Sequence, residues 1–181
     1  VCQGCHDADA GGAPDGGYPR LAGQHATVLI KQLTDVRAGL RDNQKMYPYA
    51  AEHVITPQEI ADIAVYLQGL PTPAGMGRGP GSGLDRGKEL YQHQCEDCHG
   101  ERGEGDADKF YPRVGGQHFA YLLREARLIR DGNRRNAHPD MVEAVAGYSE
   151  DELAAVAYYM AQLPGTVPTT GSTKGSDVSR D

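Results

Sequence analysis

Apolar residues recur at helical spacing in both halves of the chain. In residues 25–40, the apolar positions that share one face are Leu29, Leu33, Val36 and Leu40. Intervals of three and four residues are typical of an amphipathic helix with one buried face. The pattern therefore predicts a helix over residues 25–40.

Two further helices begin with the same start signal. Thr56-Pro57-Gln58-Glu59 and Ser149-Glu150-Asp151-Glu152 each place a hydroxyl side chain three residues before a glutamate, which is the pattern of a capping box. The apolar stripes that follow are Ile60, Ile63, Ala64 and Leu67 in one helix and Leu153, Val156, Ala157 and Met160 in the other. Both halves are thus predicted to be helical, and the fold class is all-α.

A helix over residues 85–94 is predicted ahead of the second half. It carries Gly87, and a glycine inside a helix allows another helix to cross closely. The first half has no such segment, because the sequence begins at Val1. A domain without this helix would leave one flank of its terminal helix bare. We expect that residues are missing before Val1 or that a partner chain covers the gap.

The chain contains an internal repeat with an offset of 93 residues. The matching positions are Cys2, Cys5 and His6 with Cys95, Cys98 and His99, Tyr18–Leu21 with Tyr111–Val114, and Gly23–His25 with Gly116–His118. The register slips only between Gly39 and Thr56, where gaps in the two halves cancel. Two copies of one domain explain this pattern most simply.

Proline and glycine mark the boundary between the two copies. Residues 71–83, PTPAGMGRGPGSG, have the composition of a linker. We therefore predict an N-terminal domain over residues 1–70 and a C-terminal domain over residues 84–164. Residues 165–181 form a polar tail with the composition of a disordered segment, which only a partner chain would order.

Composition limits what these domains can be. The chain has 181 residues, 39% of them apolar, with no tryptophan and two phenylalanines, so two protein-only cores would be thin. A bound apolar cofactor would supply the centre of each core, and the cofactor-free chain is predicted to be largely unfolded. The net charge of −7 argues against nucleic acid and against purely electrostatic attachment to anionic lipid. No apolar run approaches the length of a membrane span.

All four cysteines belong to two copies of the pattern Cys-x-x-Cys-His. This is the attachment signature of haem c, in which two thiols add to one porphyrin and the histidine binds its iron. The alternatives are a zinc site, a redox-active pair or a disulfide. A four-cysteine zinc site has no use for a histidine after each pair, and a thioredoxin-like pair would lie beside a strand, which the sequence does not predict. Covalent haem attachment in bacteria takes place outside the cytoplasmic membrane. The sequence therefore predicts two haem c groups in an exported, periplasmic protein whose chain is the mature product or a fragment.

The two axial positions of each iron have candidate ligands. His6 and His99 of the motifs are predicted to be proximal ligands. Met46, 40 residues after His6, and Met141, 42 residues after His99, fall in the loops where the register slips. A thioether there would close the sixth position and favour electron transfer over catalysis.

Other residues compete for these roles. His53 and His138 lie near the two methionines and are the rival ligands, although neither has a counterpart in the other repeat. Met76 in the linker and Met160 in a helical stripe are interpreted as structural. His25 and His118 correspond, and we interpret them as surface residues or as residues behind the haem ligands.

The repeat also predicts residues that support the haem and its ligands. Pro19 and Pro112 each follow the proximal histidine by 13 residues, where a carbonyl oxygen could accept its Nδ1–H. Arg20 and Arg113 are candidates to pair with haem propionates, with solvent exposure as the alternative. A further arginine stripe is either a docking face for an acidic partner or a solvated helix face; its members are Arg124, Arg127, Arg130, Arg134 and Arg135.

The duplicated motif, the segments YPRLAGQH and YPRVGGQH, and the late methionine followed by a capped helix resemble cytochrome c4. The resemblance covers residues 1 to about 165. It implies two tandem class I cytochrome c domains related by a pseudo-twofold axis, each with a haem held by histidine and methionine. It also implies electron transfer to respiratory partners, sometimes with loose attachment to the membrane.

Three functions are compatible with these predictions. The first is a dihaem electron carrier whose partners are a donor dehydrogenase or cytochrome and an acceptor oxidase or reductase. The second is the haem subunit of a larger dehydrogenase that oxidises a sulfur compound or an alcohol. The third, a dihaem peroxidase, needs one open iron and is disfavoured by the two methionine loops.

Overall fold

The computed structural model describes residues 2–73 and 79–165, and these residues are mainly helical. The helices within them are α1 (Gln3–His6), α2 (Ala26–Arg37), α3 (Tyr47–Ala50), α4 (Pro57–Gln68), α5 (Leu84–Gln94), α6 (Glu96–His99), α7 (Phe119–Arg130), α8 (Pro139–Val145) and α9 (Glu150–Gln162). Met76 and residues 166–181 lie outside the described residues. The predictions for that methionine and for the tail therefore stay predictions.

The capped helices form where the sequence predicts them. The hydroxyl of Thr56 accepts from the backbone N–H of Glu59, and the carboxylate of Glu59 accepts from the backbone N–H of Thr56, so α4 begins with a complete capping box. Ser149 and Glu152 make the same pair at the start of α9. In the first half α4 packs on α2, and in the second half α9 packs on both α5 and α7.

Gly87 permits a close helix crossing in the second half, as predicted. A Cβ atom at this position would lie 2.1 Å from the carbonyl oxygen of Ala155 in α9. Tyr91, one turn later, is completely buried and donates to the carbonyl oxygen of Gly100 at 2.5 Å. This crossing anchors α5 and brings it directly before the second cysteine motif.

The equivalent face of α4 is open in the first half. Val65 and Tyr66 are 61% and 65% exposed, whereas Tyr159, which corresponds to Tyr66, packs against Tyr91. Among the described residues no helix lies on α4 as α5 lies on α9. The described residues also contain no helix with the length and apolarity needed to span a bilayer.

The two methionine loops contain short helices that periodicity did not predict. Met46 is the N-cap of α3, and Met141 lies inside α8. Both helices have proline in the first turn, where its fixed φ angle suits a helix start. Four and seven residues are too few for an apolar stripe to show in the sequence.

Candidate functional site

A cavity of about 1700 Å³ extends through both halves of the molecule. Its walls include every residue of the two predicted attachment sites: Cys2, Cys5, His6, Cys95, Cys98 and His99. Pockets for a single small molecule measure about 300–1,000 Å³. The cavity is therefore large enough for two cofactors, one against each motif.

Each motif folds into one helical turn that places its side chains together. The backbone N–H of His6 donates to Cys2 O at 3.0 Å, and that of His99 donates to Cys95 O at 2.9 Å. Positions i, i+3 and i+4 of such a turn lie on one side of the helix. Both cysteines and the histidine of a motif consequently face one wall of the cavity.

The two histidines are held in one tautomer by the residues predicted for that role. The Nδ1 atom of His6 lies 3.0 Å from Pro19 O, and that of His99 lies 3.0 Å from Pro112 O. A carbonyl oxygen can only accept, so Nδ1 carries the proton and Nε2 keeps its lone pair when the ring is neutral. Burial lowers the pKa of both rings, more than these hydrogen bonds raise it. Each ring is thus prepared as a neutral metal ligand.

Met46 and Met141 lie in the wall of the same cavity, and both are half-buried. Met141 packs against the buried side chains of Ile129, Val145 and Leu153. Of the rival ligands, His53 is exposed and lines a separate surface depression. His138 does line the cavity, but its Nδ1 accepts from the backbone N–H of Asp140 and caps α8. Met160 is buried in a core cluster, in keeping with a structural role.

Arg20 and Arg113 lie at the junction of the two halves. Arg20 is buried, with only 2% of its surface accessible, which excludes plain solvent exposure for it, and Arg113 is half-buried. Arg20 donates to Gly116 O at 2.7 Å and Gly115 O at 2.9 Å, and Arg113 donates to Gly23 O. Burial and then the like charge of Arg113 lower the pKa of Arg20 to about 10.

Neither arginine forms a salt bridge within the described residues, and the one acidic group whose charge acts on either is Glu104, near Arg113. The buried Nε of each has no hydrogen-bond acceptor there. Buried cations are strongly unfavourable without a counter-charge. Because both side chains line the cavity, a cofactor that carries carboxylates, as haem does, fits this wall.

A reciprocal set of hydrogen bonds joins the two halves. The side-chain amide of Gln117 accepts from Arg20 N at 2.9 Å and donates to Arg20 O at 3.0 Å. Gln24 makes the same two contacts with the backbone of Arg113, both at 2.9 Å. Each glutamine thus pairs with the backbone of the opposite copy, as a pseudo-twofold axis requires.

His25 and His118 belong to this junction, and the interpretation of His118 as a surface residue is wrong. His118 is 1% exposed and its Nε2 lies 2.8 Å from Gly11 O, while the Nε2 of His25 lies 2.7 Å from Glu104 O. The signal in the sequence was the unchanged Gly-Gln-His triplet of both repeats. The same triplet in both repeats indicates that its residues make the same contacts in both halves.

The arginines of the stripe form ion pairs and hydrogen bonds with other residues of the chain. Arg127 and Arg130 pair with Glu150, and Arg135 donates to Gly39 O. Arg124 and Arg134 pair with Glu125 instead, which is buried near the junction of the halves. The contacts give no support to the interpretation of this stripe as a docking face.

Comparison with known proteins identifies the fold. The family model described as "Cytochrome c" matches residues 1–71 and again residues 84–164. Cytochrome c4 of Pseudomonas aeruginosa is 32% identical over 171 residues, which cover 90% of this chain and 84% of that protein. The chain belongs to the cytochrome c4 family. The crystal structure of reduced cytochrome c4 from Pseudomonas stutzeri matches 90% of this chain and 93% of its own, with a TM-score of 0.79 and 29% identity.

A second kind of relative is as similar as the cytochromes c4. The thiosulfate dehydrogenase electron acceptor of Stutzerimonas stutzeri is 38% identical over 173 residues, covering 90% of this chain and 79% of that protein. A thiosulfate dehydrogenase structure from Marichromatium purpuratum matches 93% of this chain and 38% of its own, with a TM-score of 0.78 and 31% identity. As a cytochrome c4, the chain carries two covalently bound haem c groups and transfers electrons.

Proposed function

We propose that the chain is a periplasmic dihaem electron relay whose irons are ligated by His6 with Met46 and by His99 with Met141. The observation that carries this proposal is the shared cavity, whose walls hold both cysteine motifs and both methionines. Two closed, six-coordinate sites suit the exchange of single electrons and leave no open iron for substrate. The chain would then act on redox partners alone and catalyse no reaction by itself.

The protein's own groups fix each site before an electron arrives. Cys2, Cys5, Cys95 and Cys98 would hold the haems covalently, and the carbonyl oxygens of Pro19 and Pro112 orient the two histidines. A bound haem supplies an iron that changes between the ferric and ferrous states. Arg20 and Arg113 would neutralise its propionates in the buried junction, and the predominantly apolar wall excludes water around it.

A spectroscopic redox titration of the purified protein tests this function. We expect two haems per chain, and a near-infrared band from thioether-to-iron charge transfer for both in the ferric state. The titration should yield two one-electron steps. A high-spin ferric haem, or a band that accounts for only one of the two irons, would contradict the proposed ligation.

A second function is favoured by the relatives that take electrons from thiosulfate dehydrogenase. In this function the chain would be the electron-accepting partner of a dehydrogenase that oxidises a sulfur compound. The donor would be a separate chain or, as in the larger structure from Marichromatium purpuratum, part of a longer one. Stopped-flow mixing with a thiosulfate dehydrogenase and thiosulfate tests it, since a true acceptor is reduced faster than an unrelated cytochrome c of equal potential.

A further inference from the structure

A second group of polar and charged residues makes contacts between the two halves, and its members correspond in pairs through the internal repeat. Gln32 in α2 corresponds to Glu125 in α7, since the two helices match at the 93-residue offset. Arg41 corresponds to Arg134. The backbone N–H of Arg41 donates to Asp35 O and that of Arg134 donates to Leu128 O, at equivalent points after each helix. We refer to Arg41, Arg134, Gln32 and Glu125 as the arginine clasp.

Each acceptor of the clasp binds both arginines. The Oε1 atom of Gln32 accepts from Arg41 at 3.0 Å and from Arg134 at 3.1 Å. The Oε2 atom of Glu125 lies 3.0 Å from Arg41 and 3.1 Å from Arg134. Two guanidinium groups, one from each half, therefore meet around one amide and one carboxylate.

Glu125 is the carboxylate that both arginines contact directly. Its side chain is 10% exposed, and those of Arg41 and Arg134 are 12% and 17% exposed. Burial would raise the pKa of Glu125, but the guanidinium groups of Arg41, Arg134 and Arg124 together outweigh burial and hold the pKa below its usual range. The carboxylate is thus charged at neutral pH.

Position 32 of the first half, which corresponds to Glu125, has an amide because a carboxylate lies beside it. The side-chain amide of Asn136 donates to Gln32 at 3.1 Å and to Asp35 at 2.8 Å, so these two acceptors are neighbours. A glutamate at position 32 would face the carboxylate of Asp35. In the second half Leu128 corresponds to Asp35, which leaves Glu125 without an acidic neighbour on its own helix turn.

The clasp lies in the wall of the cavity that contains both haem sites, since all four of its side chains line that cavity. Each half contributes one arginine to the clasp, so both halves supply a cation to this shared wall. A positive charge beside a haem favours the ferrous state, because reduction lowers the charge at the iron. In a half-buried wall such charges are screened less than at the surface.

We propose that the arginine clasp tunes the reduction potentials of both haems together, and that Glu125 limits how positive the shared wall becomes. This inference rests on the proposed electron relay and deepens it. Glu125 acts through the field of the clasp and touches no iron ligand. The clasp differs in this respect from Met46 and Met141, each of which would act on one haem alone.

The test is a redox titration of the holoprotein and its variants at fixed pH and salt. In Glu125→Gln the amide keeps the shape of the clasp and removes its anion, so both potentials should rise. The expected size is up to about a tenfold shift in the equilibrium with a common partner, or about 59 mV for a one-electron step. Arg134→Gln should lower both potentials, and the double variant should return them towards the parent values.

Arg127→Gln is the matched control. Arg127 lies on α7 near Glu125, but it is 47% exposed, pairs with Glu150 and lies outside the cavity wall. Its loss changes the net charge as Arg134→Gln does, and the shift should be several-fold smaller because solvent screens it. Equal shifts for the two variants would overturn the proposal, as would a shift confined to one haem or potentials that stay unchanged.

Arg134→Gln also decides the matter if Glu125→Gln fails to fold, since it leaves Glu125 paired with Arg41 and Arg124. The absorption spectra distinguish a failure of this proposal from a failure of the proposed haem ligation on which it rests. A parent protein without two histidine–methionine haems would refute the proposed ligation. Intact spectra with unshifted potentials would refute the tuning role alone.

Discussion

At the scale of single residues, each proposed haem site combines a histidine and a methionine that line the same cavity. The histidine is fixed twice, by the covalent motif and by a proline carbonyl oxygen 3.0 Å from its Nδ1. Met141 is held by packing against buried side chains, and each methionine is carried by a short helix. The identity of the sixth ligand is therefore the most easily altered property of each site.

Met46→His should lower the potential of one haem and leave the other nearly unchanged. A second imidazole favours the ferric state relative to a thioether, and Met46 belongs to the first half alone. Potentiometric titration of both haems measures this, with Met160→Leu as a buried methionine control. If both potentials fall by similar amounts, Met46 is not the ligand of a single haem.

Arg20 offers a second test at the residue scale. Arg20→Gln removes a buried cation from the cavity wall, so the potential of at least one haem should fall, since the ferrous state loses a stabilising charge. Arg20→Lys keeps the charge and should largely keep the potential. It should still lower the free energy of unfolding by about 1–3 kcal/mol, because Gly115 O and Gly116 O lose their shared donor. Equal potentials in Gln and Lys variants would exclude the charge as the cause.

At the scale of helices, the sequence predicted those helix starts that depend only on residues close together in the chain. The capping boxes at Thr56 and Ser149 need only residues three apart, and both helices begin there. Helices α3 and α8 escaped prediction because their short length leaves no periodicity. The position of these two helices depends on tertiary contacts around the cavity and the core, which a local pattern does not show.

The crossing of α5 and α9 supplies a prediction at this scale. Gly87→Ala adds a methyl group that would meet backbone at Ala155, so the two helices must separate. Overpacking costs about 1–3 kcal/mol, and the better helix propensity of alanine returns up to about 1 kcal/mol. Urea unfolding of the holoprotein should therefore show a net loss in Gly87→Ala. Lys88→Ala, at an exposed position of the same helix, should stay within about 0.5 kcal/mol of the parent.

At the scale of the whole molecule, two repeats form one unit through contacts that no single repeat contains. The repeat and the two haem motifs were evident from the sequence, because both rest on residue identity alone. The partners of Gln24, Gln117, His25 and His118 were not, because they depend on how the halves meet. A junction between similar domains is specified by shape and by buried polar pairs, neither of which has a sequence period.

The same junction should make the molecule sensitive to acid through Glu125. A carboxylate whose folded pKa lies below its ordinary value of 4.5 stabilises the folded state above the unfolded pKa. That contribution is lost as the pH falls through the folded pKa.

At pH 7, Glu125→Gln should cost about 3 kcal/mol in the free energy of unfolding, since it leaves buried guanidinium groups without their anion. At pH 3, which lies below the ordinary pKa of 4.5, the difference between the two proteins should shrink, because the carboxyl group of Glu125 is then protonated in the unfolded chain. Urea unfolding at both pH values, followed by the absorption of the haems, measures the difference. A gap of equal size at pH 7 and pH 3 would show that the shape of residue 125, and not its charge, joins the two domains.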